Sequence, residues 1–106
     1  MAAPIRFEVR ARDGAARAAT LVTAHGEVPT PAFMPVGTRA AVKAMSPDEL
    51  IAMGCRLVLA NAYHLALRPG PELVEQMGGV ARFMGFKGAV LTDSGGFQAM
   101  SLAKIN

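Results

Sequence analysis

The sequence predicts an α/β chain in which a small antiparallel sheet precedes the strand–helix units of a parallel sheet. Three observations carry this. Residues 5 to 30 alternate apolar and polar side chains between tight-turn signals. From residue 31 onward, short apolar runs alternate with helix starts and stops instead. Three of those runs, residues 32–37, 56–60 and 88–92, are apolar on both faces, as strands covered on both sides require.

In the first segment, residues 1–30, Ile5, Phe7 and Val9 alternate with Arg6, Glu8 and Arg10, a turn is expected at Asp13-Gly14, and AATLVT and GEVPTP come next. This gives two or three antiparallel strands. The second segment, residues 31–106, opens with AFMPVG as the first parallel strand. SPDEL then starts a helix: Ser46 caps, Pro47 suits the first turn, and Glu49 three residues after the serine completes a capping box. Gly54 ends that helix, RLVLA is the second strand, and NAYHLALRPG reads as a polar loop. Another helix opens near Pro71, with Leu73, Val74 and Met77 on one face and Glu72, Glu75 and Gln76 on the other, and stops at Gly78-Gly79. GAVLT, residues 88–92, is the third strand. No later helix covers that strand before the sequence reaches LAKIN, so the unit is expected to be unfinished.

Composition narrows the function. The chain of 106 residues is 52% hydrophobic and 18% charged, richer in apolar side chains than an ordinary small domain. Its single cysteine, Cys55, excludes an internal disulfide and a zinc site built on several thiolates. The N-terminus lacks a continuous apolar segment of signal-peptide length, and no window approaches a spanning helix, so a soluble, cytoplasmic protein is expected. The net charge of +3 fits an anionic partner, and it fits a solvated basic surface equally well.

The stretch VLTDSGGFQAMSL, residues 90–102, holds the densest chemistry. DSGG surrounds the nucleophilic serine of chymotrypsin-like proteases, and VTAHG around His25 faintly echoes their histidine segment. That reading fails, because it needs an all-β double barrel, a buried aspartate behind the histidine and a much longer chain. Thr92 and Phe97 also stand where glycine and proline would be expected, so Ser94 is no acyl-enzyme nucleophile.

Asp93 instead comes directly after a parallel strand, at the end where active-site groups of such sheets collect. Ser94, Gly95 and Gly96 would let the backbone approach a ligand and offer amide donors to it. Asn61 stands at the equivalent place after the second strand. Together an amide and a carboxylate can read a purine-like base, the one giving and accepting, the other accepting from ring or exocyclic N–H groups. Two plainer readings fit the same residues: Asp93 and Ser94 capping a subsequent helix, and Asn61 shaping a loop. His64 has no partner at metal-ligand spacing, His25 reads as surface, Cys55 as small core filler, RFMGF as packing, and Arg39 and Lys43 as solvated charge.

GEVPTPAFMPVGTRAAVKAMSP, LANAYHLALRPG and RFMGFKGAVLTDSGGFQAMSL together resemble the N-terminal part of the queuine tRNA-ribosyltransferases, the tRNA-guanine transglycosylases, and most the bacterial branch. The resemblance runs from about Phe7 to Lys104. It implies a (β/α)8 TIM barrel preceded by an antiparallel sheet, of which this sequence would hold the first three βα units, an incomplete barrel. It also implies exchange of guanine for a 7-deazaguanine, the queuine precursor, at the wobble position of tRNA. By the same resemblance Asp93 is the proton acceptor that contacts the base, and Ser94, Gly95, Gly96 and Phe97 contribute to the pocket, with Phe97 stacking on the base or walling it. Asn61, Val36 and Leu59 match positions lining that pocket.

Exchange of this kind uses the covalent double displacement of retaining glycosidases, with a second carboxylate attacking the ribose. The resemblance implies that this nucleophile and a zinc site of three cysteines and one histidine lie beyond residue 106, and that the complete enzyme pairs as a homodimer. A whole barrel needs about 250 residues, so the 106 residues alone are expected to be inactive. One departure is Ala62, where the family usually has threonine in NTYHL; it is expected to loosen packing at the pocket edge without removing a catalytic group. Two rival readings are a non-catalytic module holding a purine or phosphate on the loop from Asp93 to Gly96, and a fragment that completes its sheet with another chain.

Overall fold

A computed structural model describes residues 5–94. It begins with three antiparallel strands in the order β1-β2-β3: β1 (Ile5–Asp13), β2 (Ala16–Thr23) and β3 (Gly26–Thr30). The hairpins close over Gly14-Ala15, one residue later than the turn expected from Asp13-Gly14, and over Ala24-His25. A register shift between Val9 and Ala11 marks a β-bulge in β1. Ile5, Phe7 and Val9 remain exposed, and the Arg17 guanidinium lies 5.1 Å from the centre of the Phe7 ring, within cation–π range.

The helix expected from SPDEL is α1 (Pro47–Ala52). Ser46 Oγ accepts from the Glu49 N–H at 3.1 Å, and Glu49 Oε1 accepts from the Ser46 N–H at 2.9 Å. The expected capping box therefore forms. The parallel pair is β4 (Leu57–Ala60) with β5 (Ala89–Thr92). Between them run three short helices, α2 (Ala62–Leu67), α3 (Pro71–Gln76) and α4 (Val80–Met84). Two of these differ from the expectation: α2 occupies the stretch expected to be a loop, and α4 the stretch expected only to pack.

The first apolar run also differs. AFMPVG does not form a strand; it pairs through a single parallel bridge, Val36 with Leu59. Leu59 donates to Pro35 O at 2.9 Å and Gly37 donates to Leu59 O at 2.6 Å. Prolines at 31 and 35 lack the N–H that a longer ladder needs, so the pairing stays short. The close approach depends on Gly37, where a Cβ would meet Val58 Cγ1 at 3.2 Å. Three parallel segments are nonetheless side by side, in the order expected. The sequence past Ser94, including the possible helix start at LAKIN, lies outside the described residues.

Both faces of β4 are covered, which accounts for its apolar run. Val58, with no exposed surface, packs with Leu50 of α1, Met84 of α4 and Phe86. Leu57 packs instead with Ala89 and with Val28 of β3, and Leu21 and Met34 lean on this cluster. The antiparallel sheet is thus attached to the parallel pair by apolar contact.

The Ser46 backbone N–H, and after it the Ser46 hydroxyl, hold the Glu49 carboxyl below its ordinary value of 4.5. A carboxyl lowered in the folded state stabilises that state above the unfolded value, and the contribution is lost as pH falls through the folded one. The amide protons of Leu50 and Met53, which bond to Ser46 O and Glu49 O, report on this turn. Their exchange protection, corrected for intrinsic rate, is expected to fall as pH drops below 4.5 and to lose that pH dependence in Glu49→Gln. The same acid-side loss in both proteins would contradict the assignment.

Candidate functional site

The site is built on the carboxyl ends of the three parallel segments. Beyond the bridged residues the segments stay laced together: Asn61 N–H donates to Thr38 O at 3.3 Å and Asp93 N–H to Ala60 O at 3.3 Å. Because Ala60 pairs with Thr92, the next residue on each strand, Asn61 and Asp93, leaves the sheet at one edge.

Their side chains meet there. Asn61 Nδ2 donates to Asp93 Oδ2 at 3.3 Å, and the Ala62 backbone N–H donates to Asp93 Oδ1 at 3.1 Å. Asn61 is also the N-cap of α2, its Oδ1 accepting from the His64 N–H at 3.0 Å. One amide therefore caps a helix with its oxygen and holds a carboxylate with its nitrogen. The cap meets the structural reading of Asn61, and the contact with Asp93 brings the expected amide and carboxylate together at one rim. Asn61 and Asp93 are half-buried, and among the described residues the ion pairs are those of Glu8 with Arg6 and Arg10, far along the chain on β1.

The remaining candidates are spread more widely. Val36, exposed, lies beside half-buried Leu59 across the parallel bridge, on the segments that end at this rim. Ser94 is exposed and adjoins Asp93 in the chain. Gly95, Gly96 and Phe97 lie outside the described residues. Arg39 and Lys43 are exposed on the loop after the first segment, His25 is exposed on the β2–β3 turn, and half-buried Cys55 packs against the α1–β4 cluster. His64 sits in α2 with its ring edge-on to Tyr63, 5.7 Å between centroids. No three His, Cys, Asp or Glu side chains among the described residues are grouped to hold a metal. No helix among them is long and apolar enough to cross a membrane.

A cavity of about 540 Å³ opens beside the rim, walled by Ala62, Leu65 and Ala66 of α2, Val74 of α3, Val80 of α4 and Thr92. Its wall includes neither Asn61 nor Asp93, so this apolar groove between helices is a separate feature from the polar rim. Sequence reasoning missed the Ala62 N–H as a donor to Asp93, because it missed α2. The available signal was an asparagine before helix-forming AYHLAL, an N-cap pattern.

Comparison with known proteins gives a consistent result. A family profile described as Queuine tRNA-ribosyltransferase matches residues 13–106. The chain is 58% identical over 101 residues to the queuine tRNA-ribosyltransferase of Granulibacter bethesdensis, covering 95% of this chain and 27% of that protein. It is 59% identical over 99 residues to that of Thermus thermophilus, covering 93% and 26%, and 50% identical over 105 residues to that of Fusobacterium nucleatum, covering 99% and 28%. The chain thus spans about a quarter of the length of these relatives.

Two substitutions separate the roles of Asn61. Asn61→Ser keeps a capping oxygen and loses the reach to Asp93, whereas Asn61→Ala loses both and costs α2 about 1 kcal/mol. Exchange protection of the Leu65 amide, which bonds to Asn61 O, is expected to drop in the alanine variant only. The Asp93 carboxyl carbon resonance is expected to move in both. An unmoved Asp93 signal in Asn61→Ser would show that the amide does not hold the carboxylate.

Proposed function

The chain belongs to the queuine tRNA-ribosyltransferase family, and from that premise we propose that it supplies one proton-handling carboxylate and part of the base pocket for tRNA base exchange. The reaction replaces guanine at the wobble position with a 7-deazaguanine. The observation that carries this reading is the anchored carboxylate of Asp93 at the ends of the parallel segments.

Base exchange breaks and remakes the bond between a ribose and a purine-like ring. The departing base needs its developing charge met by a proton, and the incoming base has to lose one. One carboxyl group within hydrogen-bond reach of the ring can do both in turn: as the acid it gives its proton to the departing base, and as the carboxylate so formed it takes one from the incoming base. An ionised carboxylate has about four lone-pair sites. Two of those on Asp93 are engaged by Asn61 and Ala62, which fixes the group and leaves acceptor capacity for base N–H groups. Val36 and Leu59 supply apolar surface beside the ring. By family resemblance Ser94, Gly95, Gly96 and Phe97 contribute to the pocket for that ring.

Attack on the ribose anomeric carbon calls for a further carboxylate. Family resemblance assigns that group, and the zinc site, to sequence that these 106 residues do not span. The described residues do not fit a zinc ion: no three candidate ligands are grouped. The part of Asp93 in the exchange is a proton and hydrogen-bond role. The partner is tRNA, the setting the cytoplasm, and the whole enzyme a homodimer.

In the full-length natural protein bearing this sequence, Asp93→Asn is expected to slow incorporation of labelled guanine into tRNA on the order of 10²- to 10⁴-fold. Affinity for tRNA should change little. The purified 106-residue chain is expected to show no exchange. Wild-type rates in the asparagine variant would refute the role given to Asp93, and exchange by the short chain would refute the need for the further carboxylate.

A further inference from the structure

We propose that a groove at the end of β5 remote from Asp93 is a phosphate-binding site formed by His25, Arg82 and Lys87. The groove has a volume of about 380 Å³. Among the described residues its ionisable wall residues are these three, each from a different part of the fold: the β2–β3 turn, α4 and the approach to β5. All three are exposed, and the rest of the wall is glycine or apolar, including Gly79, Val80 and Phe86.

Among the described residues no acid contributes to the wall. Glu27 is on the same hairpin as His25 but is not a wall residue, and among the described residues the ion pairs are confined to Glu8 with Arg6 and Arg10. Cationic side chains converging on a concavity without an acid are matched by an anion with several acceptor oxygens. A guanidinium offers a planar fork of donors, and an ammonium a point charge, both suited to phosphate. The groove is wide enough for a phosphate together with the groups esterified to it. Lys87 precedes β5 and Asp93 follows it, so the groove and the rim described above lie at opposite ends of that strand.

The phosphate can belong to a nucleic-acid backbone or to a free small molecule. The first source rests on the family reading; the second does not. The test uses the full-length protein, inorganic phosphate and a tRNA transcript, and compares wild type with the double variant Arg82→Gln, Lys87→Gln and the charge-conserving Arg82→Lys, Lys87→Arg. An unchanged amide spectrum establishes that each variant is folded. If the groove holds backbone phosphates, the slope of log affinity against log salt falls by about 1.4 to 1.8 in the glutamine variant, at 0.7 to 0.9 per lost contact, and the charge-conserving variant restores it. If it holds free phosphate, inorganic phosphate moves the His25 ring resonances in wild type and the charge-conserving variant but not in the glutamine variant, with the salt slope unchanged. Either result supports the site. An unchanged salt slope together with no response of His25 to inorganic phosphate would overturn it, and neither readout depends on base-exchange activity.

Discussion

The register of β4 against β5 is the constraint on which the rest depends. Leu57 pairs with Ala89, Val58 with Val90, Leu59 with Leu91 and Ala60 with Thr92. Strand side chains alternate between faces, so a slip of one residue would carry Val58 out of the α1–α4 core and Leu57 out of contact with β3. It would also separate Asn61 from Asp93. Gly88 helps to exclude such a slip: the Ala89 N–H donates to Arg56 O at 2.9 Å, and a Cβ on Gly88 would lie 2.7 Å from that same oxygen. Only glycine permits the strand to enter the pairing at this point.

Apolar packing therefore places the polar rim. Neither Asn61 nor Asp93 contributes to the core clusters, yet the spacing between them is set by which residues beneath them are buried. The antiparallel sheet takes part at the other end. Val28 of β3 meets Leu57 and Ala89, the first residues of the two parallel strands, while the carboxylate stands past their last residues. Apolar support and the polar candidate site sit at opposite ends of the same short strands, as support and active-site groups do in other parallel α/β architectures. The ion pairs of Glu8 with Arg6 and Arg10 are exposed and contribute little to this arrangement.

The features legible in the sequence are those that local chemistry decides. Ser46, Pro47 and Glu49 specify a helix start within four residues, and the alternation from Ile5 to Arg10 specifies a strand, so both are readable. The run at 56–60 is readable because burial on both faces of β4 leaves few polar positions, and the run at 88–92 is readable from its apolar residues although Leu91 and Thr92 at its end are exposed. The failures have two causes. AFMPVG is apolar enough for a strand, but its prolines limit it to one bridge. The helices α2 and α4 have six and five residues, too short to show a period, and lengths at which tertiary packing outweighs propensity. The left-handed Gly85 that ends α4 is a usable signal, obscured by the apolar residues on either side of it. The proximity of Asn61 and Asp93 is legible as a shared rim. The hydrogen bonds are not, because they depend on α2 turning the Ala62 amide toward the carboxylate.

The role of that amide bears on Ala62, the position at which the family resemblance leads one to expect threonine. A change beside the carboxylate of the candidate site would ordinarily suggest a weakened site. Here the contact with Asp93 comes from the backbone N–H, which every residue but proline provides, and the orientation of that N–H is set by the neighbouring Asn61 cap. Ala62 also belongs to the wall of the apolar groove, shared with Leu65, Val74 and Thr92, and it is there that a change of side chain is felt. The carboxylate is thus insulated from substitution at 62 and vulnerable to substitution at 61. Any effect of the alanine acts on the packing of α2 against its neighbouring helices, and reaches Asp93 only if that packing turns the first helical amide away.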